Sequence, residues 1–482
     1  MFFNSALVAL GGATLAAAVN PLEVQGNQFV DSKTGNAFQI VGMAYQIGGS
    51  AGYDPSHGKD PLSNADICKR DAALMQELGA NSIRVYNLDP NLNHDECASI
   101  FNAAGMYMII DVNSPLVGES LGSDKPWESY YTAYLNRTFA IVEAFKSYPN
   151  TLAFFSGNEV IQSVDSAKFV PPYVRAVTRD LKNYVKNHAD RAIPVGYSAA
   201  DVRSVLEDTW NYFQCAIDGD ENDMSRADIF ALNSYSWCGD SSFEESGYNT
   251  LVDLFKTSSV PVFYSEFGCN TPSPRVFTEI ETIYSDKMTG VFSGGVVYEY
   301  AQEANNYGLA ECNDDGTVNL LSDFATLQSQ YKKVDFSKVQ NVKATGAKVT
   351  APECKASLIK EDGFNNNFTL PVPPPGAQEL IDDGISPKPV GQIVEITDYT
   401  VNHVVKNADG TTLSNLAVKP LSEGEINTPG TTSSSSSTSS SGSSDSTENA
   451  APTSGPQGAL SAAVMIIPAI VALSMTAGFT LI

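Results

Sequence analysis

Short apolar runs alternate with longer amphipathic segments from about residue 39 to residue 302. Each run is rich in Ile, Val, Phe or Tyr, a composition that predicts strands buried on both faces. The runs are Gln39–Tyr45, Asn81–Tyr86, Met106–Val112, Thr151–Ser156, Ile193–Ser198, Ile229–Tyr235, Val260–Ser265 and Gly294–Tyr300. Helical periodicity is found between them at Asn64–Leu78, Glu128–Ser147, Pro171–Ala189 and Pro274–Met288.

Eight strands joined by helical crossovers predict an α/β fold of the (β/α)8 TIM-barrel type, which we assign to residues 19–333. An open doubly wound sheet is the alternative, but no Gly-x-Gly-x-x-Gly turn follows the first strand to favour it. Residues 334–427 have isolated apolar clusters between Pro-rich loops. They predict a small appended region, mostly irregular or β, that packs on the barrel or follows it.

The N-terminus is a short apolar stretch, residues 1–18, that ends in small residues. This pattern is typical of a secretory signal peptide, with cleavage before Val19 or Asn20. A buried N-terminal helix is the alternative interpretation.

The C-terminus combines three features that predict a GPI-attachment signal. Residues 428–449 form a stalk rich in Ser and Thr, small residues follow, and an uncharged apolar tail reaches residue 482. We predict lipid attachment at Asn449, with Ser446 and Gly455 as alternatives, and removal of residues 450–482. A tail-anchored transmembrane helix is the competing interpretation. Together the two ends predict secretion and anchoring to the outer face of the plasma membrane and the cell wall.

Charge narrows the range of partners. The 482 residues include 29 basic and 55 acidic side chains, a formal charge of −26. Nucleic acid is excluded as a partner because phosphate binding needs clustered Lys and Arg. Neutral ligands such as sugars remain compatible with this charge. The chain has only four histidines and no Cys-x-x-Cys pair, so we expect neither a metal site nor a cofactor.

Seven cysteines are spread along the chain. In an oxidising compartment they predict up to three disulfides and one unpaired thiol, with a connectivity that spacing alone does not determine. The sequons at Asn136 and Asn367 predict N-glycosylation and agree with secretion.

Two carboxylates stand where a barrel places its reactive groups, at the carboxyl ends of strands. Glu159 follows the fourth predicted strand and Glu266 the seventh. An opposed pair of carboxyl groups is what glycosidic bond cleavage requires, one as acid and one as nucleophile or base. A separation of about 5–5.5 Å would retain the anomeric configuration, and a wider one would invert it. A solvated strand cap is the simpler explanation for either residue alone.

Five segments of the barrel resemble the fungal β-1,3-glucanosyltransferases of glycoside hydrolase family 72, which are GPI-anchored enzymes that elongate wall glucan. The resemblance covers roughly residues 20–330. The segments are Gly42-Met43-Ala44-Tyr45-Gln46, Arg84-Val85-Tyr86, Gly157-Asn158-Glu159, Tyr264-Ser265-Glu266-Phe267-Gly268-Cys269 and Tyr298-Glu299-Tyr300.

This resemblance implies Glu159 as acid/base, Glu266 as nucleophile and Asn158 as the partner of a sugar 2-hydroxyl. It also implies subsite roles for Gln46, Tyr86, Tyr235, Tyr298 and Tyr307. Tyrosine suits such roles because it offers a flat apolar face and a hydroxyl, although many of the 21 tyrosines must be ordinary core residues.

Three further residues are candidates with an open alternative each. Asp201 and Arg203 resemble a sugar-contacting pair of the family, and a surface ion pair is the alternative. Arg84 is a candidate to hold Glu266 ionised by charge-assisted hydrogen bonds, and a structural ion pair with another acidic residue is the alternative.

The resemblance also implies the disulfides Cys68–Cys97, Cys238–Cys269 and Cys215–Cys354, leaving Cys312 unassigned. The chain resembles the subgroup without a Cys-rich carbohydrate-binding module, since only Cys354 lies beyond residue 333.

The resemblance predicts a retaining β-1,3-glucanosyltransferase that transfers the new reducing end of a cleaved chain to the non-reducing end of another. An endo-β-1,3-glucanase is the alternative, because hydrolysis uses the same two carboxylates. A transferase must favour an acceptor sugar over water, for which Tyr86, Tyr307 and the loop 114–122 are the candidate residues. A catalytically inactive wall mannoprotein is a further alternative, disfavoured because Glu159 and Glu266 are both present.

Overall fold

The structure is a computed structural model that describes residues 19–430. The predicted signal peptide, nearly all of the predicted stalk and the attachment signal lie outside the described residues. Within residues 19–430, no helix combines the length and the apolar character needed to cross a membrane.

The β-strands comprise a short N-terminal sheet, eight strands of similar direction and a small sheet near the C-terminal end. They are β1 Leu22–Gln25, β2 Gln28–Asp31, β3 Ala37–Phe38, β4 Ile40–Tyr45, β5 Ser82–Val85, β6 Tyr107–Asp111, β7 Thr151–Asn158, β8 Val195–Ala200, β9 Ile229–Asn233, β10 Val262–Phe267, β11 Phe292–Val297, β12 Ala310–Cys312, β13 Val318–Leu320 and β14 Val405–Lys406.

The α-helices connect the strands or follow them. They are α1 Ala65–Leu78, α2 Asp95–Ala103, α3 Pro126–Ser129, α4 Thr132–Phe145, α5 Val164–Ala167, α6 Val170–His188, α7 Arg203–Gln214, α8 Tyr248–Phe255, α9 Glu279–Ile283, α10 Ser322–Tyr331 and α11 Ala377–Asp383.

Strands β4 to β11 form a closed parallel barrel in chain order, with β11 pairing back to β4. This confirms the predicted (β/α)8 barrel. All eight predicted strands exist, with ends that agree within three residues. Every residue of β4, β5, β6, β9, β10 and β11 is buried, which explains why these strands are continuous apolar runs.

Two of the predicted helices are interrupted. The segment Pro274–Met288 is helical only over Glu279–Ile283, because Phe277 has a φ of 51° that no α-helix accommodates. The predicted helix Glu128–Ser147 divides into α3 and α4, since neither Tyr130 nor Tyr131 between them has helical backbone angles. The prediction of one continuous helix was therefore wrong at both places.

The amino-terminal end of the barrel is closed by the antiparallel sheet β1–β2–β3. Phe29 packs edge-on against Phe263, with ring centroids 5.8 Å apart, and Phe38 against Tyr107 at 5.1 Å. Phe263 and Tyr107 lie at the beginnings of β10 and β6. The opposite end, where the strands finish, is therefore the open one.

Residues 334–430 are mostly irregular and lie against the outer helices of the barrel. The backbone amide of Lys419 donates to Gln76 of α1 at 2.8 Å, and that of Val394 donates to Ser99 of α2 at 2.9 Å. Strand β14 adds to the sheet of β12 and β13. This segment therefore packs on the barrel, and its buried residues join the core of the barrel.

Three disulfides join the described cysteines in the pairs that the family resemblance implies. They are Cys68–Cys97, Cys215–Cys354 and Cys238–Cys269. Cys312 is a half-buried free thiol. The Cys215–Cys354 bridge ties the segment after the barrel to the end of α7, and each bridge stabilises the fold by about 2–4 kcal/mol.

Candidate active site

Arg84 is the centre of a polar network at the open end of the barrel. Its side chain is fully buried and makes a two-pronged ion pair with Asp111, at 2.8 and 3.1 Å. A third nitrogen contact reaches Oε1 of Glu266 at 3.1 Å. Although burial alone would lower its pKa, the neighbouring carboxylates raise the pKa of Arg84 above its ordinary value. Arg84 is thus a permanent positive charge shared by the two carboxylates.

Glu266 is a buried carboxylate surrounded by hydrogen-bond donors. Besides Arg84, the Tyr86 hydroxyl donates to its Oε1 at 2.9 Å and the Tyr235 hydroxyl to its Oε2 at 2.6 Å. Burial raises the pKa of Glu266 to about 7, and the charge of Glu159 adds to that effect. Arg84 and the two tyrosine hydroxyls act in the opposite direction, because each stabilises the ionised form.

The two tyrosines that contact Glu266 remain protonated donors. Burial raises the pKa of both Tyr86 and Tyr235 well above the ordinary tyrosine value, and the charge of Glu266 raises that of Tyr235 further. Both phenols therefore keep their protons and donate hydrogen bonds to the carboxylate.

Glu159 lies directly after β7 and is joined to the network by Asn233. The Nδ2 of Asn233 donates to Oε1 of Glu159 at 2.9 Å, while its Oδ1 accepts from Arg84 at 3.3 Å. Glu159 itself has a left-handed backbone with φ of 49°, a conformation rare for residues other than glycine. The turn places Asn158 and Glu159, consecutive in sequence, at the same opening.

Asn158 is fixed through its carbonyl oxygen. Oδ1 accepts from Arg84 at 2.9 Å, from Ser198 at 2.7 Å and from Asn233 at 3.0 Å. Since three donors surround the oxygen, the orientation of the amide is determined. The Nδ2 group is the part of this exposed side chain that remains for a ligand.

A register shift in β10 explains how neighbouring residues both reach the site. Residues of a regular strand alternate between faces, yet Ser265 donates to Asn233 at 2.7 Å while Glu266 contacts Arg84. The pairing of β10 with β9 is irregular between Tyr264 and Glu266. Such irregularities reorient side chains beside active sites.

Three tyrosine rings form one wall beside Glu266. Tyr235 and Tyr298 are each 5.4 Å from Tyr307, measured between ring centroids, and 6.2 Å from each other. Buried Arg275 supports this wall, because its guanidinium donates to the backbone carbonyls of Tyr298 at 2.7 Å and Tyr307 at 2.6 Å. With Tyr86, which contacts Glu266, the structure thus brings all four predicted tyrosines to the site.

Gln46, directly after β4, contacts that wall. Its Nε2 donates to the hydroxyl of Tyr298 at 3.2 Å and to the carboxylate of Glu299 at 3.3 Å. Burial raises the pKa of Glu299 to about 7. Gln46 and Asn87 also line a cavity of about 600 Å³, and Glu266 is not among its lining residues.

Asp201 and Arg203 form an ion pair at the rim. Two guanidinium nitrogens of Arg203 contact the Asp201 carboxylate, one of them at 2.9 Å, and the third donates to the Thr250 hydroxyl at 3.0 Å. Asp201 also accepts from Ser234 at 2.6 Å, next to Tyr235. The Arg203 side chain is 44% exposed, and the pair makes no direct contact with either candidate catalytic carboxylate among the contacts described.

Sequence reasoning gave no individual role to several polar residues of the site. They are Asp111, Ser198, Asn233, Ser265 and Glu299. A usable signal existed for two of them, because Asp111 and Asn233 end the apolar runs of β6 and β9 just as Asn158 ends β7. The serines gave no signal, since small polar residues are common within strands of this kind.

No cluster of three or more His, Cys, Asp or Glu side chains within residues 19–430 has the arrangement of a metal site. The polar network is built from carboxylates, amides, phenols and one guanidinium. Such a set supports proton transfer and attack by a carboxylate.

Comparison with known proteins identifies a family that this chain matches. The glucanosyltransferase model of glycoside hydrolase family 72 matches residues 12–335. The chain is 52% identical over 422 residues to the 1,3-beta-glucanosyltransferase gel2 of Aspergillus fumigatus, covering 88% of this chain and 87% of that protein. It is 45% identical over 338 residues to the 1,3-beta-glucanosyltransferase GAS4 of Saccharomyces cerevisiae, covering 70% and 71%.

A solved structure is similar as well. Saccharomyces cerevisiae Gas2p, a glutamate-to-glutamine mutant in complex with laminaritetraose and laminaripentaose, superposes with a TM-score of 0.64. The sequences are 34% identical, and the match covers 74% of this chain and 75% of that one. The family match, the two relatives and the shared fold agree, and the chain belongs to the glucanosyltransferases of glycoside hydrolase family 72.

Proposed function

We propose that this enzyme is a retaining β-1,3-glucanosyltransferase that cleaves one β-1,3-glucan chain and joins the new reducing end to the non-reducing end of another. The observation that supports this best is the joining of Glu159 and Glu266 through Asn233 and Arg84 at one opening. The glucan substrate is inferred from relatives, since Gas2p is described with laminaritetraose and laminaripentaose.

The different surroundings of the two carboxylates support their division of labour. Glu266 accepts from one guanidinium and two phenols, a set that stabilises an anion, so we assign it as nucleophile. Glu159 accepts from the neutral amide of Asn233 and is only partly buried. It therefore suits proton exchange with sugar oxygens, and we assign it as acid/base.

In the first step, an oxygen of Glu266 attacks the anomeric carbon while Glu159 gives its proton to the glycosidic oxygen. The bond between that carbon and that oxygen breaks, and the leaving chain departs with a hydroxyl. The remaining chain is then held as an ester on Glu266. We propose that Nδ2 of Asn158 donates to the sugar 2-hydroxyl during this step.

In the second step, Glu159 takes the proton of an acceptor hydroxyl whose oxygen attacks the same anomeric carbon. Glu266 leaves as a carboxylate, and two inversions give net retention. The tyrosine wall of Tyr235, Tyr298 and Tyr307, together with Tyr86 and Gln46, provides rings and hydroxyls to hold the sugar units. Asp201 and Arg203 are proposed as a rim contact.

Transfer and hydrolysis differ only in what attacks the intermediate. Incubation with a reduced laminari-oligosaccharide, followed by product sizing, decides between them. Chains longer than the input support the proposal, whereas exclusively shorter products would establish an endo-β-1,3-glucanase.

The same assay tests the catalytic pair. We expect Glu159→Gln and Glu266→Gln each to abolish product formation while secretion and thermal stability are preserved. Activity that persists in either variant removes that residue from the mechanism, and an inactive wild type would instead favour a structural mannoprotein.

We also propose that the protein reaches the cell surface as a GPI-anchored glycoprotein, with attachment at Asn449 and N-glycans at Asn136 and Asn367. Support comes from the sequence signals and from relatives named as glucanosyltransferases. Release of the protein from intact cells by a phosphatidylinositol-specific phospholipase is the expected result. Retention after treatment would contradict lipid anchoring.

A further inference from the structure

Two aromatic rings are exposed at the same end of the barrel as the catalytic carboxylates. Trp127 and Phe169 are each 47% exposed, and their ring centroids lie 5.6 Å apart at an interplanar angle of 87°. Large aromatic side chains usually bury most of their surface. Because these two rings contact each other and remain half exposed, they form an apolar surface patch that core packing does not explain.

The position of this aromatic pair follows from the topology. Trp127 lies in α3, between the end of β6 and the start of α4, and Phe169 immediately precedes α6. In a (β/α)8 barrel, the helices begin at the end where the strands finish. The pair therefore lies at the open end, on the two consecutive connections that follow Asp111 and Asn158.

The pair is also connected to the region proposed for the acceptor. The backbone amide of Gly122 donates to the Ser129 hydroxyl at 2.8 Å, which joins the loop 114–122 to the helix that carries Trp127. On the other side, ten positions separate Phe169 from Glu159. The aromatic pair therefore belongs to the same two connections as the loop 114–122 and Glu159.

Paired charges flank each ring. Lys125 and Glu128 lie 3.5 Å apart beside Trp127, and Lys168 and Asp165 lie 2.7 Å apart beside Phe169. The rim is therefore polar and locally neutral, which favours an uncharged ligand rich in hydroxyls over an anionic one. An apolar patch with a polar rim is typical of a binding site.

We propose that Trp127 and Phe169 form an outer binding surface for the distal part of a β-1,3-glucan chain whose other end lies in the cleft. One sugar ring stacks on an exposed ring face, and hydroxyls of its neighbours meet the flanking charged groups. This inference rests on the proposed function for the identity of the ligand.

The test compares two double variants of the full-length protein. Trp127→Leu/Phe169→Leu keeps apolar bulk but removes the flat rings, whereas Trp127→Tyr/Phe169→Tyr keeps them. We expect the leucine pair to weaken binding of long-chain laminarin about tenfold or more. The tyrosine pair should bind within about twofold of the parent. Binding is measured in a Glu159→Gln background, so that cleavage does not consume the ligand.

A second measurement excludes a merely structural effect. In the active enzyme, the ratio of kcat/KM for laminarin to kcat/KM for laminaritetraose should fall about tenfold in the leucine pair. Val390→Ala, at an exposed valine of the appended segment, is the matched control and should leave the ratio unchanged. An equal loss on both substrates would overturn the inference.

Other outcomes are distinguishable. Unchanged laminarin binding in the leucine pair overturns the outer surface, even if the wild type lengthens glucan normally. Loss of self-association in the leucine pair, with laminarin binding unchanged, would instead make this face a contact between two copies of the chain. If the wild type binds laminarin through the pair but never lengthens it, the proposed function fails and the binding surface stands.

Discussion

The hydroxyl of Tyr235 donates a 2.6 Å hydrogen bond to Oε2 of Glu266, and both residues lie three positions before a cysteine of one disulfide. The bridge Cys238–Cys269 thus joins the loop that follows the donor to the loop that follows the acceptor. Gly268 makes this possible, because the chain turns there with a φ of 115° that only glycine adopts readily.

Removing the Tyr235 hydroxyl should move the pH dependence of the enzyme. A hydrogen bond to the ionised form lowers a carboxyl pKa, so Tyr235→Phe should raise the pKa of Glu266 further above about 7. The acid limb of kcat/KM should then shift upward by about one pH unit, the equivalent of ~1.4 kcal/mol. Tyr307→Phe is the control, because Tyr307 belongs to the same wall but makes no hydrogen bond to Glu266. This variant should leave the acid limb of the kcat/KM profile unchanged. Coincident profiles for Tyr235→Phe and wild type would contradict this role.

Arg84 should be essential for both stability and activity, through different partners. Arg84→Gln leaves the buried Asp111 carboxylate without its cation, which is expected to lower the free energy of unfolding by about 3–5 kcal/mol. The double variant Arg84→Gln/Asp111→Asn removes both charges and should recover most of that loss in urea denaturation. It should remain inactive, because Glu266 still lacks its positive partner. Recovery of activity in the double variant would argue against an electrostatic role for Arg84 at Glu266.

Two disulfides close loops of nearly equal length. Comparing their removal distinguishes an effect on stability from an effect on the position of Glu266. Cys238–Cys269 spans 31 residues and Cys68–Cys97 spans 29, so the entropy of loop closure predicts a similar cost of about 3–4 kcal/mol for removing either. Replacement of both cysteines by alanine should lower the unfolding midpoint alike in the two variants. Only loss of Cys238–Cys269 should also reduce kcat, at a temperature where both variants are folded. Equal kcat values in the two variants would show that the bridge does not position Glu266.

Buried glutamates make folding stability depend on pH. Burial raises the pKa of Glu279 to about 7, whereas in the unfolded chain it ionises near the ordinary glutamate value. The folded form therefore holds its proton over a range in which the unfolded form has lost it. The resulting stability is fully present below about pH 4.5 and is lost as pH rises through 7. Glu279→Gln should reduce the difference between the unfolding free energies at pH 5 and pH 8 by about 3 kcal/mol. An unchanged difference in urea denaturation would contradict the raised pKa.

The barrel could be predicted from sequence because its signal is repeated. Each buried strand is an apolar run of the same kind, and β4 to β11 all agree with the pattern. The segment around Phe277 failed because helical periodicity says nothing about a single left-handed residue. The local hydrophobic pattern therefore predicts where strands and helices occur, but it does not predict where a single residue breaks a helix.

The candidate site was predictable only in part, for a similar reason. Glu159 and Glu266 stand out because each ends or follows an apolar run within a recognisable motif. Asn233, which joins them, acts through contacts between β7, β9 and β5 that are far apart in sequence. Its amide orientation depends on Arg84, Ser198 and Ser265 together, so no single position reveals it.

Closure of the barrel base by Phe29 and Phe38 has a consequence for turnover. A polysaccharide can approach Glu266 only from the open end, so in the proposed mechanism the departing fragment and the incoming acceptor both pass on that side. On that mechanism, water would also reach the proposed intermediate on Glu266 during each exchange of chains. The ratio of transfer to hydrolysis would then depend on how often an acceptor sugar reaches that intermediate before a water molecule does.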